Sequence, residues 1–326
     1  MSNSKKPSVG LIGLGIIGSR VAASLRREGY PLFVWNRTPH SEPNFLASPA
    51  EVAEAADIVQ IFVRDGAALM EVIKSMATSL TSSHVVLNHA TVSPDEALEA
   101  AELVNKHGAQ FLNAPFTGSR DAAADGKLVY FAGGSSDVLK SIRPILEASS
   151  EKILMMGSVE AAAYIKIATN VIMAAQVEIL AEVLEFLTLG GVPLNRLGEA
   201  LQYSVANSGV LAMKMPLMLQ GDFEPRFSAK NMLKDIQFAL DIVKQRGVEL
   251  PVTAVTAEAF RKVVQSGLGD ADVAALATQY DYSGKEELLF PLEAPNSLLA
   301  SASKSSLAPV RKKSFLKTIF TRGGNG

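Results

Sequence analysis

Gly13, Gly15 and Gly18, spaced as G-x-G-x-x-G, close the apolar run Val9-Gly10-Leu11-Ile12. Glycines at that spacing let a backbone approach a pyrophosphate at a helix N-terminus. With the intervening Leu14, Ile16 and Ile17 they form a candidate cofactor-binding turn. After the next apolar run the chain reads Trp35-Asn36-Arg37-Thr38. An acidic residue there would bind the ribose 2′-hydroxyl of NAD. Asn36 and Arg37 instead offer donors to a 2′-phosphate, so the expected cofactor is NADP over NAD.

Lys166 and Asn170 are four apart in a long helical pattern and therefore share a face with Ala163, Ile167, Met173, Ala174 and Val177. A lysine on so apolar a surface is costly without a partner or a task. Burial lowers its pKa toward the range that proton transfer near neutrality requires. A lysine snorkelling from a partly exposed helix is the commoner alternative. Asn113-Ala114-Pro115-Phe116-Thr117-Gly118-Ser119 follows a strand end. Its Thr-Gly-Ser turn offers backbone amides and two hydroxyls to a carboxylate, or is a plain polar loop. Asn88-His89-Ala90-Thr91-Val92-Ser93-Pro94 ends another strand at the same edge. There Thr91 could face a nicotinamide, or Ser93 could merely cap the helix starting at Pro94. His89 reads as a satisfied or exposed histidine. Lys234-Asp235, preceded by Phe227, is on its own an ordinary exposed ion pair. No Asp/Glu/His cluster has ligand spacing, so no metal is expected.

The elements that must position these residues fall into two kinds. From Val9 to about Gly157 short β-rich runs alternate with helical ones. The expected strands are Val9–Gly13, Leu32–Trp35, Ile58–Val63, Val85–Asn88, Gln110–Asn113, Val129–Ala132 and Ile153–Met156. The helices between them are Ile16–Gly29, Pro49–Ala56, Gly66–Ser79, Pro94–His107 and Ser136–Ala148. This predicts an α/β fold with a Rossmann-type, mostly parallel doubly wound sheet over residues 1–160. Glu160 to Leu189 is one long connecting helix, ended by Gly190-Gly191 and Pro193. It leads into an all-α domain over 161–282 in which no strand-like run appears. From Ser283 to residue 326 periodicity is lost and Ser, Ala, Pro and Lys dominate. A disordered basic tail is expected there, with a small membrane-surface or partner-binding helix near Phe315, Leu316, Ile319 and Phe320 as the alternative.

Composition excludes several classes. The 326 residues are 48% hydrophobic and 20% charged, with a formal net charge of −2. That balance gives no overall field for nucleic acid. Cysteine is absent, which removes disulfides, thiolate nucleophiles and cysteine-ligated zinc. The start has no apolar h-region, and the longest apolar stretch is broken by Lys166, Asn170, Gln176, Glu178, Glu182 and Glu185. Neither a secretory signal nor a membrane span is expected, and a cytoplasmic location follows as the default.

Taken in chain order, the motifs resemble those of the β-hydroxyacid dehydrogenase family, which includes 3-hydroxyisobutyrate dehydrogenases and glyoxylate/succinic semialdehyde reductases. They are the Gly13–Gly18 turn, Asn36-Arg37-Thr38, Thr91-Val92-x-Pro94, Ala114-Pro115-x-Thr117-Gly118, Gly126 with Leu128, Lys166-x-x-x-Asn170 and Lys234-Asp235. The resemblance implies Lys166 as catalytic acid/base. It implies Thr117, Gly118, Ser119, Asn170, Phe227 and Asp235 around a small carboxylate-bearing substrate. Val63, Thr91 and Lys234 join the cofactor side, and the helical domains build a homodimer or homotetramer. Thr117 replaces the usual serine and Ser119 a common glycine, which favours small acids over branched ones. Asn88, His89, Ala90 and Ser24 also depart from the family pattern. Two other readings stay open. One is an imine reductase, a relative that shares the Asn-Arg-Thr motif but usually lacks the lysine. The other is a non-catalytic NADP-binding module whose tail recruits a partner.

Overall fold

The structure, a computed structural model, describes residues 6–280; the expectations for the basic tail lie outside them. Eight strands form one sheet in the order β2-β1-β3-β4-β5-β7-β6, with β8 paired to β7. They are β1 (Val9–Ile12), β2 (Leu32–Trp35), β3 (Ile58–Ile61), β4 (Val85–Asn88), β5 (Gln110–Asn113), β6 (Phe116–Thr117), β7 (Leu128–Gly134) and β8 (Ser150–Gly157). The first five pair in parallel, as does β8 on β7, whereas β7 runs antiparallel to β5 and β6. Helices α1 (Gly18–Arg27), α2 (Pro49–Ala55), α3 (Gly66–Met76), α4 (Pro94–Lys106), α5 (Arg120–Ala124) and α6 (Ser136–Glu147) alternate with the strands.

Local chemistry sets these boundaries. Ser48, Asp65, Ser93, Ser119, Ser135 and Ser158 each accept a bond from a backbone N–H two or three residues into the following helix. Ser93 and Glu96 form a reciprocal capping box ahead of Pro94. Ser93 is therefore the cap of α4. β3 is buried along its whole length, as a central parallel strand must be. One apolar cluster lies between the sheet and α1 and α6, through Val21, Leu25, Leu139 and Ile142. A second joins the sheet to α2, α3 and α4 through Val52, Leu69, Ile73, Ala97 and Val104.

The second half is helical: α7 (Val159–Leu189), α8 (Asn195–Gln202), α9 (Gly209–Gln220), α10 (Ala229–Lys244) and α11 (Pro251–Val263), with a short 3-10 segment over Val273–Gln279. Its core gathers Leu180, Leu184, Met215, Met232, Phe260 and Leu276. α7 belongs to both halves. Ala163 packs in the sheet-side cluster and Ala174 in the helical one. None of the helices among the described residues is long and apolar enough to cross a membrane.

Three expectations are corrected. α1 begins at Gly18 and not at Ile16, because the turn holds Ile16 and Ile17 outside the helix, Ile17 as its N-cap. β6 and α5 were not expected. β6 has two residues, too few to show an alternation, and α5 has five, too few to show a face.

Candidate active site

The glycine turn lies where the strand order reverses, between the carboxyl ends of β1 and β3, the place where open α/β sheets bind ligands. Gly13 has φ +100°, and a Cβ there would stand 2.1 Å from the Phe62 carbonyl oxygen. A Cβ on Gly18 would lie 1.9 Å from the Gly13 carbonyl oxygen. Both are glycine for internal reasons. Gly15 is different: nothing lies within 4 Å of the position its Cβ would take. The open space there fits the close approach of a pyrophosphate. No side chain caps α1 and no acidic residue occupies its first turn, so its positive end faces this opening unneutralised. The turn fits a dinucleotide.

Asn36 is placed differently from expectation. Its Oδ1 accepts from the Leu14 backbone N–H at 2.9 Å and its Nδ2 donates to the Thr38 carbonyl at 2.8 Å. Both amide functions brace the turn, and the side chains of Arg37 and Thr38 beside it are exposed. Val63, just past β3, is half-buried against the sheet-side cluster.

Lys166 is 9% exposed, which rules out the snorkelling arrangement. Its ammonium donates to Asn170 Oδ1 at 3.0 Å, and Asn170 Nδ2 donates to Asp235 Oδ2 at 2.7 Å. Asp235, on α10, is 2% exposed, so Lys234-Asp235 is not the solvent-exposed pair its sequence suggests. Asp235 Oδ1 lies 2.6 Å from the Lys234 ammonium, a charge contact whose angle falls outside hydrogen-bond geometry. That buried oxygen has no hydrogen-bond donor among the described residues. Lys234 reaches across the cleft to the Thr91 carbonyl oxygen at 2.9 Å and lies over the Phe238 ring. Lys166, Asn170, Asp235, Lys234 and Thr91 thus form one polar chain joining the two halves. Burial lowers the Lys166 pKa to about 8; Asp235 opposes the shift and Lys234 reinforces it.

A second lysine supplies the contrast. Lys214, on α9, is fully buried and its ammonium lies 2.7 Å from Asp272 Oδ1. The same carboxylate accepts the backbone N–H groups of Ala274, Arg226 and Phe227, each at 3.0 Å. This pair anchors the segment that carries Phe227. It escaped the sequence reading, although Lys214 stands among Val210, Leu211, Met213 and Met215, the same signal that singles out Lys166. Lys214 has a full counter-charge. Lys166 touches only a neutral amide.

Thr117 and Gly118 are exposed, and Gly118 has φ +136° with Leu128 closing the space a Cβ would need. The Ser119 hydroxyl accepts from the Ala122 N–H as the cap of α5. Arg120, one residue on, pairs across the cleft with Glu224 at 2.7 Å. That pair ties the Thr117–Ser119 loop to the Phe227 segment. His89 is buried and stacked on Phe62 at 4.3 Å. Its Nδ1 donates to the Ala114 carbonyl at 2.7 Å, with Nε2 3.0 Å from the Gln60 amide. Burial pulls its pKa down to about 4. It is a satisfied core histidine. No group of three or more potential ligands that could hold a metal occurs among the described residues.

Residues 8–157 match the model of the NAD binding domain of 6-phosphogluconate dehydrogenase. Residues 161–280 match that described as NAD-binding of NADP-dependent 3-hydroxyisobutyrate dehydrogenase. Glyoxylate/succinic semialdehyde reductase 1 of Arabidopsis thaliana is 26% identical over 285 residues, covering 84% of this chain and 99% of that protein. 2-Hydroxy-3-oxopropionate reductase of Escherichia coli is 28% identical over 289 residues, covering 86% and 99%. The structure of 3-hydroxyisobutyrate dehydrogenase from Mycobacterium tuberculosis, 23% identical, superimposes with a TM-score of 0.78 over 84% of this chain and 99% of that one. The chain belongs to the β-hydroxyacid dehydrogenase family of NAD(P)-binding oxidoreductases, enzymes acting on hydroxyl-bearing donors.

Proposed function

We propose that this enzyme reduces small aldehyde acids with NADPH, or oxidises the matching hydroxyacids with NADP, using Lys166 as general acid/base. The observation that carries the reading is the buried Lys166 ammonium, held by Asn170 and without a carboxylate in direct contact. A lysine so placed exchanges its proton near neutral pH. The bound nicotinamide supplies hydride to the carbonyl carbon, or accepts it in the reverse direction. Protonated Lys166 donates to the carbonyl oxygen as it becomes a hydroxyl; neutral Lys166 takes the hydroxyl proton back in oxidation. Asn170 fixes the lysine and orients the substrate. Asp235 holds Asn170 through Oδ2 and the Lys234 ammonium through Oδ1, and so fixes both around the substrate. Thr117 and the Gly118–Ser119 backbone receive the carboxylate, and Phe227 covers the apolar side. Thr91, Val63 and Lys234 line the nicotinamide side, and Lys234 closes that wall from the helical half.

Arg37 and Thr38 support NADP over NAD, because a guanidinium and a hydroxyl suit a phosphate. Relatives named for glyoxylate, succinic semialdehyde and 2-hydroxy-3-oxopropionate reduction support a small aldehyde acid as substrate. The lysine network favours this reading over an imine reductase, a relative that usually lacks the lysine. The test follows loss of NADPH absorbance with glyoxylate, succinic semialdehyde and a C3 semialdehyde, beside NADH controls and Lys166→Ala. Turnover that survives Lys166→Ala sinks the mechanism. Tight cofactor binding without turnover on any of them supports the non-catalytic module instead.

A further inference from the structure

We propose that Arg120 and Glu224 are positioning residues that latch the substrate side of the cleft, holding the Thr117–Ser119 loop of the sheet half against the Phe227 segment of the helical half. Apart from bonds to α7, two side-chain hydrogen bonds cross between the halves among the described residues. Lys234 reaches the Thr91 carbonyl on one side, and Arg120 reaches Glu224, 104 residues along the chain, on the other. The position of Arg120 is not explained by its own helix. It is the first residue of α5, where the helix dipole favours an anion over a cation. Its side chain is only 26% exposed, although the acids it meets, Asp121 at 3.2 Å and Glu224 at 2.7 Å, both stand mostly in solvent.

The two walls are built unequally. Thr117 lies on β6, a two-residue strand at the edge of the sheet that pairs with β7, so the loop after it has little support of its own. On the far side, Asp272 accepts from the N–H groups of Arg226 and Phe227, and its own N–H donates to the Phe223 carbonyl at 3.0 Å. Between those pins Glu224 is braced. Its N–H donates to Asp222 Oδ1 and its carbonyl accepts from Arg226, each at 3.1 Å, while Arg226 pairs with Asp222 at 2.8 Å. A stiff tip thus presents the Glu224 carboxylate to a weakly held loop, and the ion pair fixes that loop. With Thr117 and Gly118 receiving the substrate carboxylate and Phe227 covering it, the closed pair sets the separation of the two walls. An exposed pair shifts an equilibrium only a few-fold. The latch therefore closes the cleft without sealing it, and product can leave.

The effect on KM rests on the reductase reading, whereas the closure itself does not. Arg120→Ala and Glu224→Ala should each raise KM for the aldehyde acid about two- to fivefold, the worth of an exposed pair, without lowering kcat. NADPH affinity should stay as it was. The double variant should lose no more than either single one, because both remove the same contact. Arg120→Lys, which keeps a cation opposite Glu224, should stay near the parent KM. Because the protein has no cysteine, spin labels can be placed through Ala124→Cys and Gln220→Cys, exposed positions on α5 and at the end of α9. The distance between them, read by pulsed electron resonance in the cofactor-free protein, should be narrowly distributed in the labelled parent and longer and broader after Glu224→Ala. Unchanged distances, parental KM values in the active variants, or single losses that add in the double variant overturn the proposal. If the parent turns over none of the aldehyde acids, the reductase reading falls and the distances alone decide the latch.

Discussion

Asn170 on α7 donates its amide to the Asp235 carboxylate on α10, 2.7 Å away, while its oxygen accepts from Lys166 at 3.0 Å. The amide therefore stands between an acid and a base and keeps them from pairing directly. A direct ion pair would hold the lysine charged and raise its pKa, as an adjacent opposite charge does. Through the amide, Lys166 keeps a defined orientation and a proton it can release.

Replacing Lys166 by alanine should lower kcat for reduction by about 10²–10⁴-fold, the usual worth of a positioned acid/base group. Dinucleotide affinity, read by quenching of protein fluorescence, should change little, because the glycine turn is on another element.

The pH dependence follows from the direction in which Lys166 works. Its pKa is lowered to about 8 by burial. Reduction uses the protonated form, so kcat/KM for the aldehyde should be level below that value and fall as pH rises through it. Oxidation uses the neutral form and should rise through the same range. A pair of pH profiles, one in each direction, checks both arms.

Gly15→Ala and Gly13→Ala should separate binding from folding. At Gly15 a methyl meets nothing within 4 Å and the backbone φ is not positive. The cofactor-free protein should keep its melting temperature or gain slightly, while dinucleotide affinity falls about tenfold or more as the methyl meets the pyrophosphate. At Gly13 the added Cβ collides with the Phe62 carbonyl at φ +100°, and stability should drop by about 2 kcal/mol or more.

Arg37→Ala should weaken NADPH binding about 10- to 100-fold, the worth of charge-assisted bonds to a phosphate. NADH kinetics should stay as they were. Steady-state KM values for both cofactors test it, and equal losses for the two would remove Arg37 from the phosphate.

Lys214→Met should cost about 3 kcal/mol in urea unfolding, the lower range for breaking a buried pair. Asp272 retains three backbone donors, which cushions the loss. Because those donors include the Phe227 N–H, substrate KM should rise with little change in NADPH affinity.

Much of the fold was readable because its periods are strong. Leu32–Trp35, Val85–Asn88 and Gln110–Asn113 stand where their β-rich runs place them, and the long helix follows from an apolar pattern ended by paired glycines. Lys166 and Asn170 were legible by spacing on one face. What spacing cannot carry is the third dimension. Asp235 is 65 residues from Asn170, and nothing local tells an aspartate after a lysine that it will be buried. Asn36 is a related case: its type announces a donor, but only the turn's geometry shows that its Nδ2 donates to the Thr38 carbonyl while Leu14 claims its oxygen. Asp272 has neighbours of no special kind, and its four donors converge only in the folded chain.

The division of labour between Asn36 and Arg37 has an evolutionary reading. Asn36 holds the turn shut from within, so a change there would disturb every dinucleotide alike. Arg37 projects from the rim and supports nothing else. If Arg37 holds the 2′-phosphate as proposed, one codon would alter which pool of cellular reducing power the enzyme draws upon, while its architecture is inherited intact.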